Sequence, residues 1–323
     1  MTVELWTQGI SHPSVAVRAE AAGWDGMFVV DSQNLAGDPF VGLALAAVET
    51  STLKLGTGGR AVFGVGRGDS ALAHLGLAPA RLAHFENFVR ATRAYLNREP
   101  VAFEDLAPFA AVNAPTIDSI GLADHPEDSR LHWLPGDLAH VPVEVVATGP
   151  KAIAVAARTA DRVLLAVGAD PERVAWAIGL ARAEGATSTG AFVNVVAHDN
   201  IDLARALAAG PMTTFARFSV MDGKVRSPID DTSREVLANV HGAYDMHRHT
   251  RAGSPQAAQL TPEFVDRFGI VGPAGHCVAR LQELVTLSID KLIVTPPSAE
   301  ADRDGARKAM QTFATDVLPA IQS

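Results

Sequence analysis

The chain has 323 residues, 48% of them apolar, with 36 acidic and 27 basic side chains and a formal charge of −9. That length supports a sizeable core without disulfides or a structural metal, and the single cysteine, Cys277, excludes a disulfide framework or a Cys-based zinc site. The acidic balance argues against a nucleic-acid partner, no apolar run reaches the roughly 18 residues of a membrane span, and no secretory leader is seen; a cytoplasmic protein is expected.

Short β-branched runs alternate with Ala-rich helical runs along the chain. Val3–Thr7 reads as a strand, and His12-Pro13 opens a helix, since proline is tolerated at a first helical position. Gly26–Val30 is the second strand, and Asp38 is positioned to cap a helix over Phe40–Glu49. Leu53–Thr57 and Ala61–Val65 read as two more strands, followed by a long helix over Ala80–Asn97. The second half continues with strands at Val143–Ala147, Arg162–Val167, Ala191–Val196 and Lys291–Val294. Helices begin at Gly149-Pro150, Asp170-Pro171, Ile201 and Pro273, and one over 301–321 closes the chain. Eight such strands, nearly continuous in apolar residues, point to a parallel (β/α)8 TIM barrel forming a single domain over 1–323. A doubly wound sheet is the runner-up. Residues 98–141 and 210–260 break the rhythm, and both are expected as insertions at the rim where function sits.

One junction does not fit. Only Gly58, Gly59 and Arg60 separate the third and fourth strands. Parallel neighbours need a crossover of roughly a dozen residues, and three residues permit only an antiparallel hairpin. Either the barrel lacks the crossover helix between strands 3 and 4, or a segment between Gly58 and Gly59 is missing from the sequence.

Candidate chemistry lies at the strand ends. Asp31 follows the second strand directly and can orient a ligand; its alternative role is a turn or cap. The fourth strand runs into Gly64-Val65-Gly66-Arg67-Gly68-Asp69, whose alternate glycines let a flat ligand approach the backbone. This is neither a dinucleotide fingerprint nor a P-loop. Asp69 is a second strand-end carboxylate, or else a cap for the next turn. In Thr148-Gly149-Pro150-Lys151 a strand gives way to a helix N-terminus, which suits a phosphate. Gly168 can add a further N–H at the next strand end. His247-Arg248-His249 has the His-x-His spacing of barrel metal hydrolases but lies in an insertion, so no metal site is expected. A phosphate-binding aldolase or isomerase would want a Lys or Glu at a strand end; Lys291 begins its strand instead.

Gly23-Trp24-Asp25-Gly26, the strand into Asp31, Leu53-Lys54-Leu55-Gly56-Thr57-Gly58, the run Gly59 to Asp69, and Ala147 to Lys151 together resemble the bacterial luciferase-like superfamily. Within it they look most like the deazaflavin-dependent methylenetetrahydromethanopterin reductase branch, whose Gly-Pro-Gly-Asp is similar to Arg67-Gly68-Asp69 here. The resemblance implies a barrel that binds coenzyme F420 or FMN at its mouth and transfers hydride or activates oxygen. It places Asp31 and Ser32 beside the ring, Thr57 and Gly58 under it, and Gly66, Gly68 and Asp69 near ring and substrate. Thr148, Gly149, Pro150 and Lys151 would hold the phosphate. Asp69 and Asp31 are the catalytic candidates, a small organic molecule the substrate, and a homodimer the expected assembly. Many relatives carry a His after the second-strand Asp; Ser32 stands there instead, and serine does not titrate near neutrality. If the crossover is absent, part of the pocket wall is lost, which leaves a non-catalytic barrel as the alternative from another class.

Overall fold

The computed structural model describes residues 3–9, 12–31, 37–54, 60–109, 115–134, 136–137 and 139–322. In chain order the elements are β1 (Glu4–Gly9), α1 (Pro13–Ala21), β2 (Gly26–Val29), α2 (Pro39–Glu49), β3 (Phe63–Val65), α3 (Ser70–Ala73), α4 (Leu82–Leu96) and α5 (Phe103–Leu106). They continue as β4 (Val143–Ala147), α6 (Pro150–Thr159), β5 (Arg162–Leu165), α7 (Pro171–Ala183), β6 (Thr189–Ala197), α8 (Ile201–Phe218) and α9 (Asp231–Gly242). The chain ends with α10 (Pro262–Phe268), β7 (Ile270–Gly272), α11 (Ala274–Thr286), β8 (Lys291–Thr295), α12 (Arg303–Thr312) and α13 (Leu318–Gln322). The strands pair in the order β2-β1-β8-β6-β5-β4-β3, all parallel, with β7 on β6. This is the (β/α)8 barrel plan with helices outside. No helix among the described residues is long and apolar enough to cross a membrane.

Residue types explain the elements locally. Asp38 accepts the Val41 N–H at 2.9 Å and Asp170 accepts the Glu172 N–H at 3.0 Å, so both cap helices as their position suggests. Alternation along each strand sorts the core. Val143, Val145 and Ala147 pack outward with α6 and α7, while Trp6, Phe28, Val146, Leu164, Phe192 and Ile293 share a second cluster between the strands and α8.

Below that cluster is a charged layer at the strand starts. Lys291 is fully buried and donates to both Glu144 oxygens, at 3.0 and 2.8 Å. Arg162 reaches Glu144 at 2.6 Å, and Glu4 pairs with Lys54 at 2.6 Å. Lys291 is thereby a structural residue at the barrel floor, far from the strand ends where a Schiff-base lysine would stand.

No hairpin pairs the described residues between 53 and 65. Lys54 bridges Gly26 in parallel, and β3 runs parallel to β4. The expected strand Leu53–Thr57 is represented among the described residues by this bridge alone; Thr57 and Gly58 lie outside them, as does Ser32. Both flanks of the junction are tied to the floor. Glu20 of α1 accepts the N–H groups of Ser51, Thr52 and Leu53 at 2.8, 2.6 and 3.0 Å. Arg60 donates to the carbonyls of Leu53 and Ala47 at 2.9 and 3.2 Å. Eight residues separate Lys54 from Phe63, too few for a crossover helix.

Two further expectations change. The helix beginning at Ile201 does not stop at Gly210-Pro211 but continues to Phe218. Pro211 cannot donate to Leu207, and the freed Leu207 carbonyl accepts the Ser298 N–H at 2.8 Å instead. Strand β7 was not expected, because three residues between two helices carry no readable period. The two insertions also part company. Residues 98–141 follow α4 and precede β4, so they join a helix to a strand, and none of those described lines the cleft at the mouth. Residues 210–260 follow β6 and do cover that cleft.

Candidate active site

The C-terminal strand ends open into a cleft of about 1970 Å³. Asp31, Gly66, Gly68, Asp69, Thr148, Gly149, Pro150 and Lys151 all line it. Gly168 does not; its left-handed backbone (φ +83°) and its closeness to Phe268, 2.9 Å from a would-be Cβ, account for the glycine structurally. The walls are largely apolar, with Phe28, Val146, Phe192 and Phe215 among them.

The three alternate glycines differ in role. A methyl group on Gly64 would collide with the Phe28 ring. Gly68 has φ +75°, and a side chain there would press on Leu72. Gly66 alone leaves room beside the cleft: a Cβ would meet only Val146, at 3.7 Å. Gly149 precedes the first turn of α6 with open space around it. That ten-residue helix has no side-chain cap; Pro150 carries no N–H and the Ala152 N–H turns back to the Gly149 carbonyl at 3.0 Å, which leaves the Lys151 N–H, with the Lys151 ammonium on the same turn, to meet an anion. Thr148 donates to the Ala166 carbonyl at 3.3 Å and keeps its lone pairs for the cleft. A flat aromatic cofactor with a phosphate tail fits this set. Typical ligand pockets hold about 300–1,000 Å³, so the cleft has room for cofactor and substrate together.

Asp69 does not cap α3. Its carboxylate ion-pairs with Arg217 of α8, and both are largely buried, 9% and 18% exposed. Burial lifts the Asp69 carboxyl above its ordinary value, against the pull of Arg217. The Arg217 guanidinium lies 4.7 Å from the centre of the Tyr244 ring. Tyr244 Oη is 2.8 Å from His249 Nδ1, and His249 Nε2 is 3.0 Å from Ser70 Oγ. Ser70, Arg217, Tyr244 and His249 were not legible as site residues. His249 is visible in sequence only as half of a His-x-His pair, and nothing local marks Arg217 or Tyr244.

The sequence profile of the luciferase-like monooxygenase family matches residues 57–291. The chain belongs to this family. Within it the chain lies near the methylenetetrahydromethanopterin reductase branch. It is 23% identical over 313 residues, 86% of this chain and 88% of the relative, to a 5,10-methylenetetrahydromethanopterin reductase of Methanolobus tindarius. Two solved structures share the fold along nearly the whole length. The coenzyme F420-dependent tetrahydromethanopterin reductase of Methanopyrus kandleri matches with a TM-score of 0.68 at 18% identity, covering 99% of this chain and 100% of that one. An F420-dependent secondary alcohol dehydrogenase, in complex with an F420-acetone adduct, matches with a TM-score of 0.65 at 15% identity, over 100% of both chains.

Proposed function

We propose that this luciferase-like protein is an oxidoreductase that holds coenzyme F420, or alternatively FMN, in the mouth cleft and transfers hydride to or from a small organic substrate. The observation that carries the reading is the convergence of Gly66, Asp69, Thr148 and Lys151 on one apolar-walled cleft. The first turn of α6 and Lys151 receive the phosphate. Gly66 lets the ring lie close to the β3 backbone. Asp31 stands at the cleft edge beside it, and Arg217 fixes the Asp69 carboxylate toward the substrate side. A bound cofactor would supply the ring atom that accepts or donates hydride, and the chain supplies position, dryness and polar contacts. F420 is favoured by the Gly-x-Gly-x-Gly-Asp strand end and by two F420-dependent structural neighbours. Oxygen activation on FMN is the second reading, favoured by the family's monooxygenase members.

The reading extends to a homodimer. Helix α2 exposes Phe40, Val41, Leu45 and Val48, the last 87% exposed, which is an apolar face suited to a second copy.

Thermal unfolding with each cofactor tests the proposal. A ligand at 100 times its Kd stabilises by about 2.7 kcal/mol. The expected result is a raised Tm with F420 or FMN; a Tm unmoved by both contradicts it.

A further inference from the structure

Ser70, His249 and Tyr244 form a continuous hydrogen-bonded chain that ends at the cleft. Ser70 and His249 line the cleft, and Tyr244 lies behind them, clear of the lining. Two devices hold the imidazole in place. A side chain on Gly210 would collide with the Thr250 carbonyl, so the glycine lets residues after His249 rest directly on α8. Gln256, fully buried, donates to the carbonyls of Arg248 and Asp245 at 3.0 and 3.3 Å and accepts the Asp245 N–H at 3.1 Å. This much fixed structure around one exchangeable imidazole is more than an exposed insertion needs.

The charged groups facing His249 come from two elements. Arg217 approaches from α8, with Asp69 as its counter-ion, and His74 stands at the end of α3. Burial first, then Arg217 and His74, push His249 down to about 4. Burial raises Tyr244, which stays a phenol. A neutral imidazole between two hydroxyls has one N–H and one lone pair, so it can accept a proton from Ser70 or return one.

We propose that Ser70, with His249 and Tyr244 behind it, exchanges the substrate's proton in this cleft. The proposal rests on the hydride-transfer reading and deepens it: the substrate carries an O–H or N–H group on the reacting carbon. In the oxidising direction the C–H electron pair leaves as hydride to the flavin-type acceptor, and the O–H or N–H bond breaks. Its proton goes to Ser70 Oγ as the proton of Ser70 passes to His249 Nε2. Burial and Arg217 make the resulting imidazolium acidic, so it releases the proton to water. In the reducing direction the same path runs backwards. Ser70 is the catalytic contact; His249 and Tyr244 are positioning residues that act through it. The imidazole of this cleft thus comes from the 210–260 insertion.

Nitrogen-15 NMR of histidine in the cofactor-free full chain tests the geometry. The expected result is one histidine that stays neutral below pH 5, whose Nε2 signal moves in Ser70→Ala and whose Nδ1 signal moves in Tyr244→Phe. If no histidine answers to both variants, the relay is overturned. With cofactor bound, Ser70→Ala and His249→Gln should lower kcat roughly 100-fold, with substrate KM and cofactor affinity within twofold of the parent. Added imidazole should restore turnover in His249→Gly. Variants that keep the parent kcat and pH profile, in a protein that binds cofactor and turns over, overturn the relay alone. A parent that binds neither F420 nor FMN overturns the oxidoreductase reading, and the relay with it.

Discussion

Asp69 and Arg217 are ion-paired across 148 positions of sequence, and the pair ties the β3 strand end to helix α8. Asp69 sits where a helix cap would sit, yet its carboxylate turns to the guanidinium. The contact draws the 210–260 insertion against the barrel mouth, alongside the Arg251–Glu300 and Arg267–Asp230 ion pairs at 3.3 and 2.6 Å.

Arg217→Met should therefore destabilise the protein by about 3 kcal/mol, because it strands a largely buried carboxylate. The raised Asp69 carboxyl ionises above its ordinary 3.8. The difference from the parent should thus widen as pH rises above that value and shrink below it, where the group is protonated. Asp69→Asn in the same chain should recover part of the loss. Urea unfolding from pH 4 to 8 measures this; a pH-independent difference contradicts the pairing.

Glu20 gives a second pH signature, at the opposite end of the barrel. Three backbone N–H bonds and the Thr52 hydroxyl hold its carboxylate down to about 2, from an ordinary 4.5. A lowered carboxyl contributes stability that is fully present above 4.5 and is lost as pH falls through 2. Glu20→Gln should be less stable than the parent at neutral pH, and the two should converge as the pH approaches 2. Parallel stability curves across that range would show that the 51–53 segment is held by something else.

Gly64 and Gly66 separate folding from binding. Gly64→Ala meets the Phe28 ring and should lower stability by about 1–3 kcal/mol. Gly66→Ala adds a methyl at ordinary contact distance from Val146 and should leave the fold intact. It should weaken cofactor binding, because the ring needs that approach. Equal cofactor affinity in Gly66→Ala and the parent would remove Gly66 from the site.

The α2 face should close a dimer. Phe40→Glu with Val48→Glu places two charges on that face, where the native side chains are 69% and 87% exposed. Light scattering should give twice the chain mass for the parent and the single mass for the variant. A monomeric parent contradicts the assembly.

Much of this was readable before any coordinates. Caps at Asp38 and Asp170, Pro150 at a helix start and the buried strand runs fix local structure, because a single residue type satisfies each local need. Helix α8 was not readable past Pro211, since the partner that takes up the Leu207 carbonyl is Ser298, far along the chain. The position of residues 98–141 was readable in principle: a segment from helix to strand belongs on the floor of a barrel. Asp31, Asp69 and Lys151 reach the cleft because strand ends must face it. His249 reaches it, and Arg217 and Tyr244 stand behind its lining, only through the packing of an irregular insertion, which leaves no period in the sequence.

The most direct test of the central claim is a fluorescence titration of the purified parent and Lys151→Ala with F420 and with FMN, side by side. The account predicts saturable binding of F420, tighter than FMN, weakened roughly tenfold when the phosphate loses the Lys151 ammonium. Binding of neither cofactor, or binding indifferent to Lys151, would contradict it.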